Sequence, residues 1–235
     1  MTHAIIFSNN SPDLLDIFLS SAKDKNIKIF YWSVLYKSNE QNEHEYLELF
    51  KKYDIASYLK EINFKNDLLY LINIGDGDLV SFFKDTNYFF SEMPETNIKE
   101  IMKDEDIFCF SLGLGRNVTF DSYNDCKNVL LNEKEIGDNC MSWNSNKHYL
   151  SFGRSLELSC GYIYRKNDIY KMFKKWKYED IDGLESSFDL LEYFPREEMA
   201  SFKKSVCADI INGVAEKEKL PVFNWGDVDR QLIKV

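Results

Sequence analysis

The stretch Ala4-Ile5-Ile6-Phe7-Ser8-Asn9-Asn10-Ser11-Pro12 decides the fold class of this chain. Its apolar residues predict a buried strand, and the polar residues that follow end it. Ser11 suits the N-cap of a helix and Pro12 its first position, so a helix is expected next. Residues 27–36 are β-branched and aromatic on both alternating faces, which predicts a second strand covered on both sides. The chain therefore opens as β-α-β.

The same alternation continues along the first third of the chain. Residues 43–53 carry apolar side chains at helical spacing, and residues 67–74 predict a third strand that ends at Gly75. This β-α-β-α-β pattern predicts an α/β fold with a mostly parallel central sheet flanked by helices. A ligand crevice is expected outside the carboxyl ends of the strands. Because no repeat or linker is evident, a single domain over residues 1–235 is expected.

Composition excludes several classes of protein. The net charge of -10 argues against a surface that attracts nucleic acid. No apolar run reaches the length of a membrane span, and Met1-Thr2-His3 lacks the basic start of a secretory signal, so a cytoplasmic location is expected. The five cysteines form no C-x-x-C pair, which favours reduced thiols over disulfides or a zinc site.

The turn Asp76-Gly77-Asp78 follows the predicted third strand. Two carboxylates on one turn can share a hard divalent cation, Mn²⁺ or Mg²⁺, which keeps open positions for diphosphate oxygens. Two alternatives stay open. The segment is also typical of an ordinary acidic turn, and Gly75 with Gly77 fits a glycine-rich turn that cradles S-adenosylmethionine.

Other polar features have both a functional and a structural interpretation. Trp143 lies in a polar stretch, where it could stack on a sugar or anchor a loop. Arg116 could bind a phosphate or an acceptor carboxylate, or be a solvated side chain. The predicted helix 168–176 carries a basic face. This face is either an ordinary solvent-exposed surface or a surface that binds an anionic membrane with a lipid-linked acceptor. That face consists of Lys171, Lys174, Lys175 and Lys177.

Several segments are informative through their order and spacing along the chain. They are residues 4–9, 34–40, 68–71, 76–78, 110–117, Trp143, residues 161–165 and the pair Leu184-Glu185. Together they resemble the bacterial glycosyltransferase-like proteins of the GT-A fold found in surface-polysaccharide biosynthesis, which are similar to glycosyltransferase family 2. The resemblance implies a nucleotide-binding half in residues 1–80 and an acceptor and sugar half in residues 81–235.

The resemblance also implies roles for individual side chains. The nucleotide would be held by Ser8, Asn9, Tyr36, Lys37 and Asp76. The metal and the diphosphate would be held by Asp76 and Asp78. The sugar and the acceptor would be bordered by Arg116, Trp143 and Gly161.

An acidic residue is needed to deprotonate the acceptor hydroxyl. The resemblance implies that Glu185 is this general base. Cys160 stands where such proteins carry an Asp, so Glu157 is the nearby substitute.

The expected activity is therefore that of a metal-dependent, inverting hexosyltransferase. It would move a sugar from a nucleoside-diphosphate donor to a glycan or lipid-linked acceptor, in the cytoplasm or at the inner face of the membrane. A non-catalytic protein of the same fold that binds a nucleotide or glycan is the first alternative. A methyltransferase that uses S-adenosylmethionine is the second.

Overall fold

The computed structural model describes residues 1–118, 120–121, 126–127, 133–145, 160–189 and 196–209. The strands are β1 (Thr2–Asn9), β2 (Phe30–Lys37), β3 (Ser57–Lys60), β4 (Leu79–Lys84), β5 (Asn87–Phe89), β6 (Ile107–Ser111), β7 (Phe120–Asp121), β8 (Cys126–Lys127), β9 (Lys134–Glu135), β10 (Cys140–Asn144), β11 (Cys160–Arg165), β12 (Glu198–Phe202) and β13 (Cys207–Asp209). The helices are α1 (Pro12–Asp24), α2 (Glu43–Lys52), α3 (Phe64–Ile74), α4 (Ile98–Ile101), α5 (Lys166–Lys175) and α6 (Ile181–Asp189).

One nine-stranded sheet, in the order β3-β2-β1-β4-β11-β6-β12-β10-β9, forms the centre of the fold. Strands β3, β2, β1 and β4 are parallel neighbours, and β6 is parallel to β12. Strand β11 is antiparallel to both β4 and β6, so β6 and β12 point the same way as β4. The prediction of a mostly parallel sheet in an α/β fold is confirmed.

The order of the strands reverses at β1. The chain moves outward from β1 to β2 and β3, and then crosses back so that β4 pairs with the other side of β1. Right-handed crossovers in opposite directions put their helices on opposite faces, which opens a crevice at the carboxyl ends of the two strands. In this fold that crevice is expected where β1 and β4 end.

Alternate residues of the strands serve two apolar layers. In β1, Ala4 and Ile6 pack in the layer covered by α1 and α2, whereas Ile5 and Phe7 pack in the layer covered by α3, α5 and α6. All four are buried. The helices contribute stripes at helical spacing, including Leu15 with Phe18 and Ile169 with Phe173. Burial on both faces explains why the first two strands are apolar throughout.

The prediction of a third strand at residues 67–74 was wrong, because these residues form most of α3. Asn63 caps this helix by accepting a hydrogen bond from the Asn66 backbone N–H at 3.0 Å. The buried side chains recur at helical intervals, namely Phe64, Leu68, Leu71 and Ile72. The strands of this region are β3 and β4, and the turn at 76–78 precedes β4 instead of ending a strand.

Most of the other predicted elements are present. The predicted strand at 27–36 corresponds to β2, and the predicted helices at 43–53 and 168–176 correspond to α2 and α5. Helix α1 begins at Pro12 as predicted, but Ser11 does not cap it through its side chain, since its hydroxyl donates to the Asn9 carbonyl instead. Across the described part of the chain, no helix is long and apolar enough to cross a bilayer.

Candidate functional site

The carboxyl ends of β1 and β4 bring Ser8 and Asp85 together at the point where the strand order reverses. Asp85 directly follows β4, and its backbone N–H donates to the Phe7 carbonyl at 3.0 Å. The Ser8 hydroxyl donates to Asp85 Oδ2 at 2.6 Å. Since ligands of parallel α/β sheets bind at such reversals, this pair marks the candidate site.

A chain of hydrogen bonds fixes this pair. The Ser11 backbone N–H donates to the Tyr46 hydroxyl at 2.9 Å, and the Tyr46 and Ser8 hydroxyl oxygens are 2.7 Å apart. Because the Ser8 proton is directed to Asp85, Tyr46 donates to Ser8. Burial raises the pKa of Asp85 to about 6, against the opposing hydrogen bonds from Ser8 and the Asn9 backbone. The carboxylate is therefore held in one orientation in a poorly solvated position.

An ion pair lies beside Asp85 on the other face of the sheet. Lys84, the last residue of β4, places its Nζ atom 3.0 Å from Glu185 Oε2 of α6. Burial opposes the charge on Lys84, but the neighbouring carboxylates outweigh it and raise the pKa of its ammonium group. Glu185 and Asp209 are the largest contributors among them. Helix α6 thus brings an acidic side chain to the end of β4.

The short ladder between β5 and β13 borders the same place. Asn87 lies opposite Asp209 in this ladder, and Asn87 Oδ1 accepts from the Lys84 backbone N–H at 3.0 Å. Burial raises the pKa of Asp209, whereas a hydrogen bond from Thr86 opposes the rise. Asn87 Nδ2 and Asp209 Oδ1 are buried and have no hydrogen-bond partner among the residues that the structure describes. A donor and an acceptor in this condition are groups that a ligand can satisfy.

Two carboxylates, Asp85 after β4 and Asp209 at the end of β13, therefore lie in this region with suitable chemistry for a hard cation. Asp85 and Asp209 are close enough for the charge of Asp209 to raise the pKa of Asp85. Such repulsion is relieved by a divalent cation, which prefers oxygen ligands. Within the described ranges no three His, Cys, Asp or Glu side chains form a group that could hold a metal ion. The pair thus fits a cation only if other ligands, such as diphosphate oxygens, complete its coordination.

The acidic turn at 76–78 lies at the opposite edge of the sheet. Asp78 immediately precedes β4, and its carbonyl accepts from the Lys166 backbone N–H at 2.8 Å, where α5 begins. The strand separates this turn from Asp85 by about 20 Å at the usual rise per residue. The prediction that Asp76 and Asp78 join the nucleotide and metal site at the carboxyl ends of the strands is therefore not supported by their position.

The glycines of that turn have a packing role. A Cβ atom on Gly75 would lie 2.0 Å from Nδ1 of His3, which is fully buried in β1. Gly77 has a φ angle of +100°, a conformation that favours glycine. Tyr31 holds the turn by donating its hydroxyl to the Asp76 carbonyl at 2.7 Å. This explains the glycines without a cofactor, and the turn does not face the crevice that a methyltransferase would need.

The remaining predicted nucleotide-binding residues lie at the correct edge in different surroundings. Asn9 is exposed at the end of β1. Tyr36 is buried and donates its hydroxyl to Glu43 Oε1 at 3.0 Å, and burial raises the pKa of the phenol to about 12. Lys37 is half-buried and pairs with Glu61 at 3.0 Å. Of these side chains, Asn9 is the one most open to a ligand.

The predicted sugar and acceptor residues are dispersed. Trp143 is fully buried in the apolar layer of α3, α5 and α6, so its ring is not available for stacking on a sugar. Arg116 pairs with Glu133 and Glu135 near β9. Gly161 forms a bulge in β11 with a φ angle of +71°, where a Cβ atom would lie 3.0 Å from the Phe83 ring. Glu157 lies outside the described residues.

Four residues at the site were missed in the sequence, namely Lys84, Asp85, Asn87 and Asp209. The signal that could have found the first three is the apolar run Leu79-Val80-Ser81-Phe82-Phe83, which a polar turn follows directly. The helical spacing of Phe64, Leu68, Leu71 and Ile72 was the matching signal against a strand in the preceding segment. Asp209 reaches the site through tertiary pairing of β13 with β5, which no local pattern announces.

A cavity of about 340 Å³ lies at the opposite, amino edge of the sheet. The ends of α1 and α2 and the start of β2 surround it, with Trp32, Lys23 and Lys28 in its wall. It contains none of the side chains that the site brings together. We therefore place the candidate site by its chemistry and topology instead of by the depth of this cavity.

Comparisons with known proteins give a fold but no family. No family model matches the chain, and no curated protein matches it. TarS of S. aureus, residues 1–349 in complex with UDP, matches with a TM-score of 0.56 at 12% identity over 88% of this chain and 60% of that chain. A second TarS structure matches with a TM-score of 0.54 at 12% identity over 90% of this chain and 37% of that one.

A third match is the mannosyltransferase PcManGT from Pyrobaculum calidifontis in complex with GDP-Man and Mn²⁺. Its TM-score is 0.53 at 10% identity, over 92% of this chain and 58% of that chain. The chain thus spans between 37% and 60% of the length of these three structures. At such identities the likeness concerns the fold alone, and the fold of this chain is that of the GT-A-type glycosyltransferases.

Proposed function

We propose that this protein is a glycosyltransferase that uses a nucleoside-diphosphate sugar at the carboxyl ends of β1 and β4. The observation that carries the proposal is the fixed Ser8–Asp85 pair beside the Lys84–Glu185 ion pair, at the reversal of the strand order. The GT-A fold supports it, as does the binding of UDP and of GDP-Man by proteins of similar fold. Ser8 and Asn9 border the nucleotide in this proposal.

Asp85 takes the role that the sequence assigned to the turn at 76–78. Together with Asp209 it would hold Mn²⁺ or Mg²⁺, and the complex of PcManGT with Mn²⁺ supports the choice of cation. When bound, the cation neutralises charge on the departing diphosphate. The buried Asp85 carboxylate is oriented for this task before any ligand arrives, because Ser8 fixes one of its oxygens.

Glu185 is the proposed general base. It projects from α6 to the end of β4 and is 22% exposed in its ion pair, so an acceptor hydroxyl can reach it. Removal of the hydroxyl proton by Glu185 would allow the oxygen to attack the anomeric carbon of the donor sugar while the bond to the diphosphate breaks. Attack from the side opposite the leaving group would invert the configuration at that carbon.

The acceptor is proposed to be a glycan or a lipid-linked sugar of surface-polysaccharide biosynthesis, at the inner face of the membrane. The exposed lysines of α5 support this part of the proposal, since they form a basic surface on an acidic protein. Basic helix faces bind anionic lipid headgroups. The exposed lysines of this surface are Lys171, Lys174 and Lys175, with Lys177 just beyond the helix.

Calorimetric titration with UDP, GDP, CDP and S-adenosylhomocysteine, each with Mn²⁺ and with EDTA, tests the proposal. Binding of one nucleoside diphosphate that Mn²⁺ strengthens is the expected result, and it selects the donor for an acceptor screen. Absence of binding by all three diphosphates would contradict the proposal. Binding of S-adenosylhomocysteine would instead favour the methyltransferase alternative.

A second candidate function is ligand binding without turnover. One observation favours it, namely that both proposed reactive carboxylates are already engaged, Asp85 by Ser8 and Glu185 by Lys84. A protein of this kind would bind a nucleoside diphosphate but release no sugar from the matching donor. Mass spectrometry of the donor after incubation with the protein and a mixture of acceptors distinguishes the two functions.

A further inference from the structure

Lys84 occupies a position that the proposed chemistry has not yet used. It ends β4, immediately before Asp85, and shares the face of Val80 and Phe82 that packs toward α6. Its Nζ atom lies 3.0 Å from Glu185 Oε2, and the lysine side chain is 29% exposed. An ammonium group thus stands at the reversal of the strand order, next to the proposed diphosphate site.

The surroundings of this ammonium group are strongly acidic. Glu185, Asp209 and Asp182 all act on its charge from α6 and β13. An exposed lysine elsewhere at this edge, Lys60, pairs with Glu43. Lys84 therefore carries one positive charge among several negative ones, and only a part of its side chain is open to solvent.

We propose, building on the function proposed above, that Lys84 is a binding residue for the donor diphosphate and exchanges Glu185 for it. Without donor, the ammonium group pairs with Glu185. With donor, it pairs with diphosphate oxygens, and the Glu185 carboxylate turns to the acceptor. The Lys84–Glu185 ion pair is therefore the state of the protein without donor, and donor binding separates the two side chains.

The exchange agrees with the charges involved. A diphosphate carries more negative charge than a single carboxylate, so the same ammonium group interacts with it more strongly. The lysine also keeps an anionic partner throughout, which avoids leaving a half-buried cation unpaired. The expected gain is therefore set by the difference between the two anions and not by the burial of a new charge.

The exchange also frees each group for its part in the transfer step. Glu185 takes the proton of the acceptor hydroxyl, the oxygen forms a bond to the anomeric carbon, and the bond from that carbon to the diphosphate oxygen breaks. The electron pair of the broken bond remains on the diphosphate, whose charge Lys84 stabilises. Product release then allows the ammonium group to pair with Glu185 again.

Calorimetry with UDP, GDP and CDP, in EDTA and in Mn²⁺, tests the exchange on four proteins: wild type, Lys84→Met, Glu185→Gln and the double variant. Lys84→Met should weaken binding of the diphosphate by about 10- to 100-fold, the range of a lost charge-assisted contact. Glu185→Gln should strengthen it several-fold, since the ammonium group no longer has a competing carboxylate. The double variant should bind like Lys84→Met. Binding of the matching nucleoside, without phosphates, should not change.

Two controls separate a role in binding from a role in folding. Lys84→Arg keeps the charge and should retain most of the affinity. It provides the test of the charge if Lys84→Met fails to fold. Lys60→Met removes a lysine from the same edge of the sheet and should leave the affinity unchanged. Unchanged binding by Lys84→Met, or weaker binding by Glu185→Gln, would overturn the exchange while leaving the proposed function intact. Failure of the wild type to bind any diphosphate, with EDTA or with Mn²⁺, would overturn the proposed function itself.

Discussion

Two turns with carboxylates flank β4, one at residues 76–78 before the strand and one at residues 85–86 after it. The first turn carries Asp76 and Asp78 and the second carries Asp85, but the surroundings of these carboxylates are opposite. Asp76 and Asp78 are exposed, and the backbone of their turn is tied down by Tyr31 and Lys166. Asp85 is buried, and its carboxylate is the group that accepts hydrogen bonds. In the first turn the contacts fix the backbone, whereas in the second turn they fix the Asp85 side chain.

The difference comes from strand direction and not from composition. In a parallel sheet the carboxyl ends of the strands share one edge, and only a turn after a strand can contribute to a site there. The turn at 76–78 connects α3 to β4, so it lies at the amino edge. There the turn packs closely against the His3 ring. A motif of two carboxylates therefore has a functional meaning only when the strand before it is correctly assigned.

The largest expected effect comes from removing the charge of the buried carboxylate. Asp85→Asn should weaken Mn²⁺-dependent binding of the nucleoside diphosphate by about 1,000-fold, since it removes a fixed anionic ligand of the cation at an almost isosteric side chain. Asp78→Asn is the matched control at the other end of the strand and should bind like the wild type. Calorimetry on both variants, with circular dichroism to verify folding, makes the comparison. The reverse result would return the metal site to residues 76–78.

A smaller effect on stability is expected at the amino edge. Gly75→Ala should lower the free energy of unfolding by about 3 kcal/mol, because the added methyl group overlaps His3 and the Tyr31 hydroxyl. Urea denaturation measures this loss. The double variant His3→Ala with Gly75→Ala should show a non-additive recovery, since the overlapping ring is absent. Additive losses would mean that the glycine is needed for another reason.

His3 should also make this edge sensitive to acid. Burial lowers its pKa to about 4, and the charge of Lys166 adds to the effect. The unfolded chain therefore takes up the proton first, and the stability that His3 contributes is present above pH 6.5 and is lost as the pH falls toward 4. Between pH 7 and pH 5 the loss should be about 2 kcal/mol.

The test of this pH dependence compares the wild type with His3→Gln. Asp85 contributes with the opposite sign, because its raised pKa of about 6 makes the folded state take up a proton first as the pH falls. The difference in unfolding free energy between the two proteins cancels that contribution. A difference that stays constant between pH 7 and pH 5 would show that the pKa of His3 does not change on folding.

Much of the fold could be predicted from periodicity in the sequence. The run at residues 4–7 is a short apolar segment that a polar cluster ends, and the stripe in α1 has a period of 3.6; both elements were located correctly. The failure concerned α3, whose apolar residues 68–72 look like a buried strand when Phe64 is left out. A short apolar run cannot be assigned from its own period, because buried strands and buried helices share it.

The site was harder to predict than the fold. Ser8 was predicted from its place at the end of the first strand and Glu185 from the family resemblance, and the structure brings both to the same edge of the sheet. Asp85 was missed as a direct consequence of the error at α3, since β4 was not recognised. Asp209 depends on a pairing over more than a hundred residues, which sequence patterns do not contain.

The smallest effects are expected from the two tyrosines that hold the turns. Tyr46→Phe removes the hydroxyl between Ser11 and Ser8, and Tyr31→Phe removes the bond to the Asp76 carbonyl. Each should lower the free energy of unfolding by about 1 kcal/mol or less, the net contribution of a hydrogen bond. The two variants should differ in function, however. Only Tyr46→Phe loosens Ser8, and through it the orientation of Asp85.

Calorimetry of the two tyrosine variants therefore gives the sharpest form of the comparison. Tyr46→Phe should weaken nucleoside-diphosphate binding several-fold, while Tyr31→Phe should leave it unchanged, although both lose similar stability. Equal affinities would indicate that Asp85 keeps its position without the hydrogen-bond chain. The difference between the two edges of the sheet would then reside in the carboxylates alone, because the tyrosines that support them would be equivalent.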